Sequence, residues 1–408
     1  MKKISLLVLF ITLLGCKKDY TYYNNMQADV TFLADDKLEG RSTGSEGEKK
    51  ASEYIIKRFE EMGLEPKGTE GYLQTFTFKP KTDPHQEVKY TTTDSSGAIT
   101  GYNVVAYLDN NADKTVVIGA HYDHLGYGDE GSLYRGDEKA IHNGADDNAS
   151  GVSMLLDLAG KLKKTNKGNN YLFIAFSGEE MGLLGSNYFA KNPTLSKENI
   201  NYMVNMDMVG RLKADSTLAV YGVGTSPIFK QTLDAHNGKF KLIENESGIG
   251  PSDHTSFYLQ DIPVLHFFTG QHEDYHKPSD DFDKLNYDGM NTISGYIFDV
   301  ITDLDDNGKL AFKKTKNESE ETPRFKVTLG VVPDYMFDGE GMKIDGVSED
   351  KPAQKAGFKK GDIVIKMGDS TITDMMSYMR ALSAFEKGQK TEVIVKRNGE
   401  EISAEVEF

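Results

Sequence analysis

Short apolar runs of strand length recur along the chain, and helical patterns separate them. The runs do not alternate with polar residues, because TVVIGA, YLFIAF, NYMVNM and IPVLHFF are apolar at nearly every position. Between the first two runs, Val152, Leu155, Leu156 and Ala159 recur at the spacing that places them on one face of a helix. Strands buried on both faces give continuous apolar runs, and their alternation with helices is typical of α/β proteins. The pattern therefore predicts a largely parallel sheet covered by helices.

Histidines and acidic residues follow these apolar runs directly. The sequence HYDH comes after TVVIGA, and SGEE comes after YLFIAF. In open α/β sheets ligands bind beyond the carboxyl ends of the strands, so these side chains should meet at one edge. Histidine and carboxylate without cysteine suit zinc or a similar divalent ion. The residues placed in this way are His121, Asp123, His124, Asp146, Asp147, Glu179, Glu180, Asp207, His272 and His276.

The net charge argues against one class of partner, and the cysteine content excludes an internal disulfide. A formal net charge of −16 over 408 residues argues against nucleic acid, whose binding rests on lysine and arginine neutralising phosphates. A solvated acidic surface explains most of that charge. The chain has a single cysteine, Cys16, so it forms no internal disulfide.

The N-terminus resembles an export signal. Lys2 and Lys3 precede the apolar run ISLLVLFITLL, which is short for a membrane span and ends in LLGC. This resembles a bacterial lipoprotein signal over residues 1–15, after which Cys16 becomes the lipidated first residue. An ordinary export signal with an incidental cysteine is the alternative. Residues 16–25 would then form a polar tether, and the protein would be anchored to a membrane on the periplasmic side or at the cell surface.

A composition change divides the rest of the chain into two domains. The stretch KKTKNESEETP is charged, almost free of apolar residues and closed by a proline, which indicates a linker. We place the linker at residues 313–321. It separates a large domain, residues 26–312, from a small one, residues 322–408.

Six motifs together resemble a known family. GAHYDH, GADDNASG, SGEEMGLLGS, NMDMVGR, SDHTSF and YHKPSDD occur in the order and spacing of the M28 family of zinc peptidases. The resemblance covers roughly residues 26 to 310. It implies a three-layer α/β/α domain with a largely parallel central sheet and two Zn²⁺ ions, one of which another divalent metal could replace.

The resemblance also implies a ligand for each metal position. His121 and Asp207 would hold one ion, Glu180 and His276 would hold the other, and Asp147 would bridge them.

Further roles follow from the same motifs. Asp146 is the second choice for the bridge, and the peptide bond between Asp147 and Asn148 is expected to be cis. Asp123 would orient His121 from behind, and Asp253 is a weaker candidate for such support.

The implied reaction is peptide-bond hydrolysis with Glu179 as general base and acid. Since Glu179 is offset by one residue from the ligand Glu180, it remains free to carry a proton. Tyr258 or Tyr275 could stabilise the oxyanion. Arg211 could instead bind a substrate carboxylate, or could have a structural role bonded to a nearby turn.

The acidic site favours an aminopeptidase, which must hold a free ammonium group beside the metals. The alternatives are a carboxypeptidase or dipeptidase, a glutaminyl-cyclase-like enzyme, and a non-catalytic binding protein on the same scaffold.

The small domain resembles a PDZ domain of bacterial proteases. The match lies in DKPAQKAGFKKGDIVIKMGD, and Thr328 to Val331 would form the loop that receives a peptide carboxylate. Such domains bind a chain terminus as an added strand. Pro333 lacks the N–H that pairing would use, so a module that docks on the large domain is the alternative.

Overall fold

The computed structural model describes residues 26–80, 89–91, 96–136, 138–165, 167–315, 326–334, 337, 339–348 and 350–408. The predicted lipoprotein signal, Cys16, the tether and most of the predicted linker lie outside these residues. Within the described ranges, no helix has both the length and the apolarity that a bilayer span requires.

The large domain is built on a ten-stranded mixed sheet. Its strands are β1 (Glu65–Pro66), β2 (Leu73–Lys79), β3 (Lys89–Tyr90), β4 (Ile99–Leu108), β5 (Thr115–His121), β6 (Asn170–Phe176), β7 (Ile200–Met206), β8 (Thr217–Tyr221), β9 (Lys241–Asn245) and β10 (Val264–Phe268). They lie in the order β3-β2-β4-β6-β5-β7-β10-β8-β9, and β1 pairs with β4. The middle strands β6, β5, β7 and β10 are parallel, and antiparallel pairs flank them.

Helices cover both faces of this sheet. They are α1 (Met26–Leu33), α2 (Glu46–Glu61), α3 (Gly151–Thr165), α4 (Leu184–Lys191), α5 (Phe229–His236), α6 (His254–Tyr258) and α7 (Tyr287–Leu304). Apolar residues of α1, α2, α3, α5 and α7 share one core with the sheet. Those of α4 and α6 pack in a second core on the opposite face. The predicted three-layer α/β/α arrangement is therefore confirmed.

In the register of the middle strands, their carboxyl ends lie side by side at one edge of the sheet. His121 at the end of β5 is opposite Phe176 at the end of β6. Gly119 of β5 is opposite Asn205 of β7, so Asp207 emerges beside His121. All seven residues of β5, β6 and β7 are buried, which explains their continuous apolar runs. The chains leaving these strands therefore meet at one edge, as the sequence predicts.

The small domain has its own core and a six-stranded sheet. Its elements are β11 (Val331–Pro333), β12 (Met342–Val347), α8 (Pro352–Lys355), β13 (Ile363–Met367), β14 (Ser370–Thr371), α9 (Met375–Ser383), β15 (Lys390–Arg397) and β16 (Glu400–Glu407). The predicted β-rich module is confirmed. Pro333 lies at an irregularity, where the register of β11 on β12 shifts after Val332.

Candidate metal centre

Five side chains form two histidine–carboxylate pairs around one shared aspartate. His121 Nε2 lies 3.3 Å from Asp147 Oδ1 and 3.3 Å from Asp207 Oδ1. His276 Nε2 lies 3.3 Å from Asp147 Oδ2 and 3.3 Å from Glu180 Oε2. The two oxygens of Asp147 thus face different pairs. The five residues that the resemblance names as ligands are brought together at the sheet edge.

Asp147, and not Asp146, occupies the shared position. Asp146 faces away from the site, because its Oδ1 accepts a hydrogen bond from Gly210 N at 2.6 Å and its Oδ2 lies 3.1 Å from His272 Nε2. Asp280 supports the turn by accepting hydrogen bonds from the backbone N–H groups of both aspartates, at 2.9 and 3.1 Å. The peptide bond between Asp147 and Asn148 is cis, as expected.

The spacing of the donor atoms suits zinc. Zinc binds histidine nitrogen and carboxylate oxygen at about 2.0–2.2 Å, so two ligands of a tetrahedral site are about 3.4 Å apart. The four nitrogen–oxygen distances of 3.3 Å match this separation. Burial opposes protonation of His121, yet Asp207 and Glu179 raise the pKa of its imidazole well above the ordinary value.

His124 contacts the same centre, although the motif gave it no role. Its Nδ1 lies 2.7 Å from Glu180 Oε1 and 4.0 Å from Asp147 Oδ2. His124, Asp147 and Glu180 form a second group of atoms close enough to hold an ion, besides His121, Asp147 and Asp207. His124 therefore either orients Glu180 or competes with His276 as a ligand. Its position three residues after His121, past the same strand end, is the sequence signal for this role.

Glu179 borders the centre without belonging to either pair. Its side chain is 11% exposed, and its Oε2 is 4.0 Å from His121 Nε2. Burial raises the pKa of its carboxyl well above the ordinary value, and the nearby carboxylates of Glu180 and Asp207 raise it further. Glu180 differs, because His276 and His124 outweigh its burial and lower its pKa to about 2. The Glu179 carboxyl therefore binds a proton more tightly than an ordinary glutamate, and the Glu180 carboxyl binds one less tightly.

Asp123 holds the glutamate turn more directly than it holds His121. Its Oδ1 is 3.6 Å from His121 Nδ1, whereas its own carbonyl oxygen is closer, at 3.2 Å. Its two carboxylate oxygens accept hydrogen bonds from the N–H groups of Glu179 and Glu180, at 3.1 and 3.4 Å. Asp253 is fully buried, and burial raises its pKa to about 7.

Two of the three proposed substrate contacts lie elsewhere. The Tyr258 hydroxyl accepts a hydrogen bond from Thr315 N at 3.1 Å, and the tyrosine is buried outside the cavity wall. Arg211 Nη2 lies 2.7 Å from Asp274 Oδ2, and Nη1 donates to the Lys284 carbonyl. Arg211 thus has the structural role that was its alternative. Tyr275 does line the cavity, and its ring stacks on that of His276 with centroids 3.9 Å apart.

The centre opens into a cavity of about 330 Å³. Four carboxylates line it, together with apolar and polar residues. The lining residues are Asp147, Glu179, Glu180, Gly182, Leu183, Asp207, Met208, Gly250, Pro251, His266, Phe268, Gln271, Tyr275 and His276.

Comparisons with known sequences find relatives for both parts of the chain. Residues 103–301 match the sequence model of Peptidase family M28, and residues 310–408 match that of the PDZ domain. A probable leucine aminopeptidase of Trichophyton verrucosum is 28% identical over 52% of this chain and 53% of its own length. Aminopeptidase YwaD of Bacillus subtilis is 29% identical over 35% of this chain and 34% of its own. The chain spans about half the length, or less, of these curated relatives.

Solved structures share the fold of the large domain. An aminopeptidase from Aneurinibacillus sp. strain AM-1 superposes with a TM-score of 0.51 and 20% identity, over 74% of this chain and 98% of that one. The zinc aminopeptidase BSAP from Bacillus subtilis gives 0.55 and 16%, over 72% and 96%. A glutaminyl cyclase from Bacteroides thetaiotaomicron gives 0.54 and 16%, over 69% and 97%.

Proposed function

We propose that this chain, which carries a peptidase domain of family M28 followed by a PDZ domain, is an aminopeptidase that uses two zinc ions. The observation that carries the proposal is the shared aspartate. Each oxygen of Asp147 lies 3.3 Å from a different histidine, and each histidine has a second carboxylate partner at 3.3 Å. A single ion would be held by only one of these two pairs, whereas two ions would use both.

Zinc in such a site polarises a carbonyl group and lowers the pKa of water to about 7. His121, Asp207, Asp147, Glu180 and His276 would hold the two ions. The chain itself supplies the proton carrier.

Glu179 is that carrier in the proposed mechanism. It lines the cavity, contacts the centre at 4.0 Å and is not needed as a ligand. Its carboxylate would take a proton from the attacking water and deliver it to the amine that leaves. The hydrogen bond from its backbone N–H to Asp123 keeps it at this edge of the site.

The charge of the cavity supports attack from the N-terminal end of a peptide. Asp147, Glu179, Glu180 and Asp207 line it, and no lysine or arginine of the described residues does. A carboxypeptidase needs a cation for the terminal carboxylate, and Arg211 is already paired with Asp274. A substrate ammonium group would instead meet a carboxylate wall.

Glutaminyl cyclisation is the second candidate, because a cyclase shares the fold. The pair formed by His121 and Asp207 favours hydrolysis, since it provides a second metal position. A single panel of substrates distinguishes the two, together with the carboxypeptidase alternative. It contains leucine anilide, its N-acetyl form, a peptide with N-terminal glutamine and a dipeptide ending in glutamate.

We expect the zinc-loaded enzyme to hydrolyse leucine anilide and to leave the acetylated form intact. Release of ammonia with pyroglutamyl product, and no anilide hydrolysis, would establish the cyclase instead. Cleavage of the acetylated or glutamate-terminated substrate alone would overturn the aminopeptidase proposal.

We also propose that a lipid on Cys16 anchors the protein and that the PDZ domain binds a peptide or a protein partner. The signal sequence before Cys16 supports the first proposal, and the match to the PDZ model supports the second. Cys16→Ser should release the protein from washed membranes with its activity intact. Retention in the membrane fraction would contradict lipid anchoring.

A further inference from the structure

A short segment, residues 40–43, lies between two loops of the candidate metal centre, residues 122–126 (the first loop) and 142–144 (the second loop). Gly40 and Arg41 pair with the first loop through hydrogen bonds from Gly126 N to Gly40 O and from His124 N to Arg41 O, at 3.1 and 3.2 Å. A Cβ atom on Gly40 would lie 2.5 Å from the carbonyl oxygen of His142, in the second loop. Arg41 itself adopts a positive φ of 49°, a conformation that a non-glycine residue keeps only under strong local constraint.

The Arg41 side chain joins three separate parts of the backbone. Its Nε donates to the carbonyl of Tyr122 at 2.8 Å, beside the ligand His121. Nη1 donates to Asn143 O at 2.7 Å and also to Leu33 O, and Nη2 donates to Gly144 O at 3.1 Å. Those two loop carbonyls belong to the turn that leads to Asp147. One guanidinium group therefore connects the chain segments that supply His121 and Asp147.

The charge of this group also matters to the site. Arg41 is 1% exposed, and the partners described above are carbonyl oxygens. Burial lowers the pKa of Arg41 to about 10, and the carboxylates of Asp123 and Asp147 counteract that shift. The guanidinium therefore remains charged at neutral pH. It places a fixed positive charge behind a centre that is otherwise rich in carboxylates.

Thr43 extends the same support to the glutamate turn. Its hydroxyl donates to Asp123 Oδ2 at 3.0 Å, and Asp123 accepts the N–H groups of Glu179 and Glu180. The segment thus reaches the strand ends of β5 and β6 and the turn before α3.

We propose that Arg41, assisted by Thr43, is a positioning residue that sets the distance between the zinc ligands His121 and Asp147. The inference rests on the proposed two-zinc function. It assigns a role to two residues that precede the match to the family's sequence model, which begins at residue 103. A lysine cannot replace Arg41, because a single ammonium group cannot reach carbonyls on three segments with the fork geometry of a guanidinium. Its loss would remove the guanidinium donor from the buried carbonyls of Tyr122 and Asn143 and would free one loop to shift relative to the other.

The test measures zinc affinity directly, by competition with a chromophoric chelator, on the full chain without substrate. Arg41→Lys should bind zinc about 10–100-fold more weakly than wild type, the range found when residues behind metal ligands are changed. The matched control is Arg58→Lys. Arg58 is also a buried arginine, on α2, but it pairs with Asp29. That control should lose thermal stability and keep wild-type zinc affinity.

Thr43→Val is the second variant, nearly equal in shape and lacking only the hydroxyl. We expect a loss of zinc affinity of roughly 3–10-fold with little change in melting temperature, because a single hydrogen bond is removed. If Arg41→Lys does not fold, the zinc affinity of Thr43→Val tests the inference instead.

Four results would count against the inference. Zinc affinity within twofold of wild type in a folded Arg41→Lys protein would overturn it, and so would an unchanged Thr43→Val if Arg41→Lys does not fold. An equal loss of zinc affinity in Arg58→Lys would show that Arg41 acts only through general stability, and this would also overturn the inference. A wild type that binds no zinc would instead overturn the proposed function, and this inference with it.

Discussion

The candidate metal centre has an inner half, His121 with Asp207, and an outer half, Glu180 with His276. The inner residues end or follow β5 and β7, which are hydrogen-bonded neighbours in the middle of the sheet. The outer histidine lies in a loop after β10, with a positive φ of 53°. Its Nδ1 donates to Gly131 O at 2.9 Å, so the loop that contains His276 is supported by the loop that contains Gly131. His121 is 1% exposed at its side chain, and His276 is 15% exposed.

The contrast shows two ways of placing a ligand. A strand end is fixed by the hydrogen bonds of its neighbours on both sides, and those strands are buried over their whole length. A loop is fixed by a few contacts, and loops are the parts of proteins that open most readily. We therefore expect the inner ion to be held rigidly and the outer ion to exchange faster. Asp147 couples the two halves, because it contributes one oxygen to each.

The largest effect should come from Glu179, which borders the inner half and belongs to neither. Glu179→Gln removes the proton carrier and keeps the size of the side chain, so kcat should fall about 10²–10⁴-fold. Zinc content, measured by mass spectrometry or atomic absorption, should remain at the wild-type value. If zinc is lost together with activity, Glu179 is a ligand and the division into halves is wrong. An unimpaired variant would remove Glu179 from the mechanism.

The next prediction tests the halves against each other. During dialysis against a chelator, wild type should release one zinc ion at least about tenfold faster than the other, since outer-loop support is weaker. His276→Ala should abolish the fast phase and keep the slow one. His121→Ala should lose the slow phase, because its strand-end ligand is gone. Equal release of both ions from wild type would show that the loop is as rigid as the sheet.

The inner half was the easier to predict from sequence. His121 and Asp207 directly follow or end apolar runs, so strand register alone brings them together. His276 lies farther past its apolar run, in a loop, and its ligand role depended on the resemblance to the M28 family. The contact of His124 with Glu180, the Arg41 bridge and the pairing of Arg211 with Asp274 depend on side-chain directions in loops, which periodicity does not encode. The hydrogen bond between Thr315 and Tyr258 shows the same limit.

A smaller effect should appear in the pH dependence of stability through Glu48, which supports the turn that carries Glu180. Its carboxyl contacts the Ser177 hydroxyl and accepts Gly44 N at 2.6 Å. Burial raises its pKa from 4.5 to about 8. Between these values the folded chain keeps a proton that the unfolded chain has lost, so stability falls as pH rises. The full difference is roughly 3–5 kcal/mol.

Glu48→Gln should remove this penalty. The variant should melt close to wild type at pH 5 and several degrees higher at pH 8, as measured by circular dichroism. Glu46→Gln, at an exposed position of the same helix, is the control. If the melting-temperature difference does not grow with pH, the Glu48 carboxyl is already ionised in the folded protein, and its support of the outer half is that of a charged acceptor.

The smallest effect is expected from removal of the PDZ domain. Both halves of the centre come from residues 121–276, and the two domains have separate apolar cores. Thr315, in the predicted linker, donates a hydrogen bond to the Tyr258 hydroxyl of the large domain, so truncation after Asn317 preserves that contact. Zinc stoichiometry, both release rates and turnover of leucine anilide should stay within about twofold of wild type, since distant and independent sites usually behave additively. A change confined to the fast-release ion would be the informative failure. It would mean that the PDZ domain restrains the outer loop, so that the weaker half of the centre depends on the second domain and the stronger half depends only on the sheet.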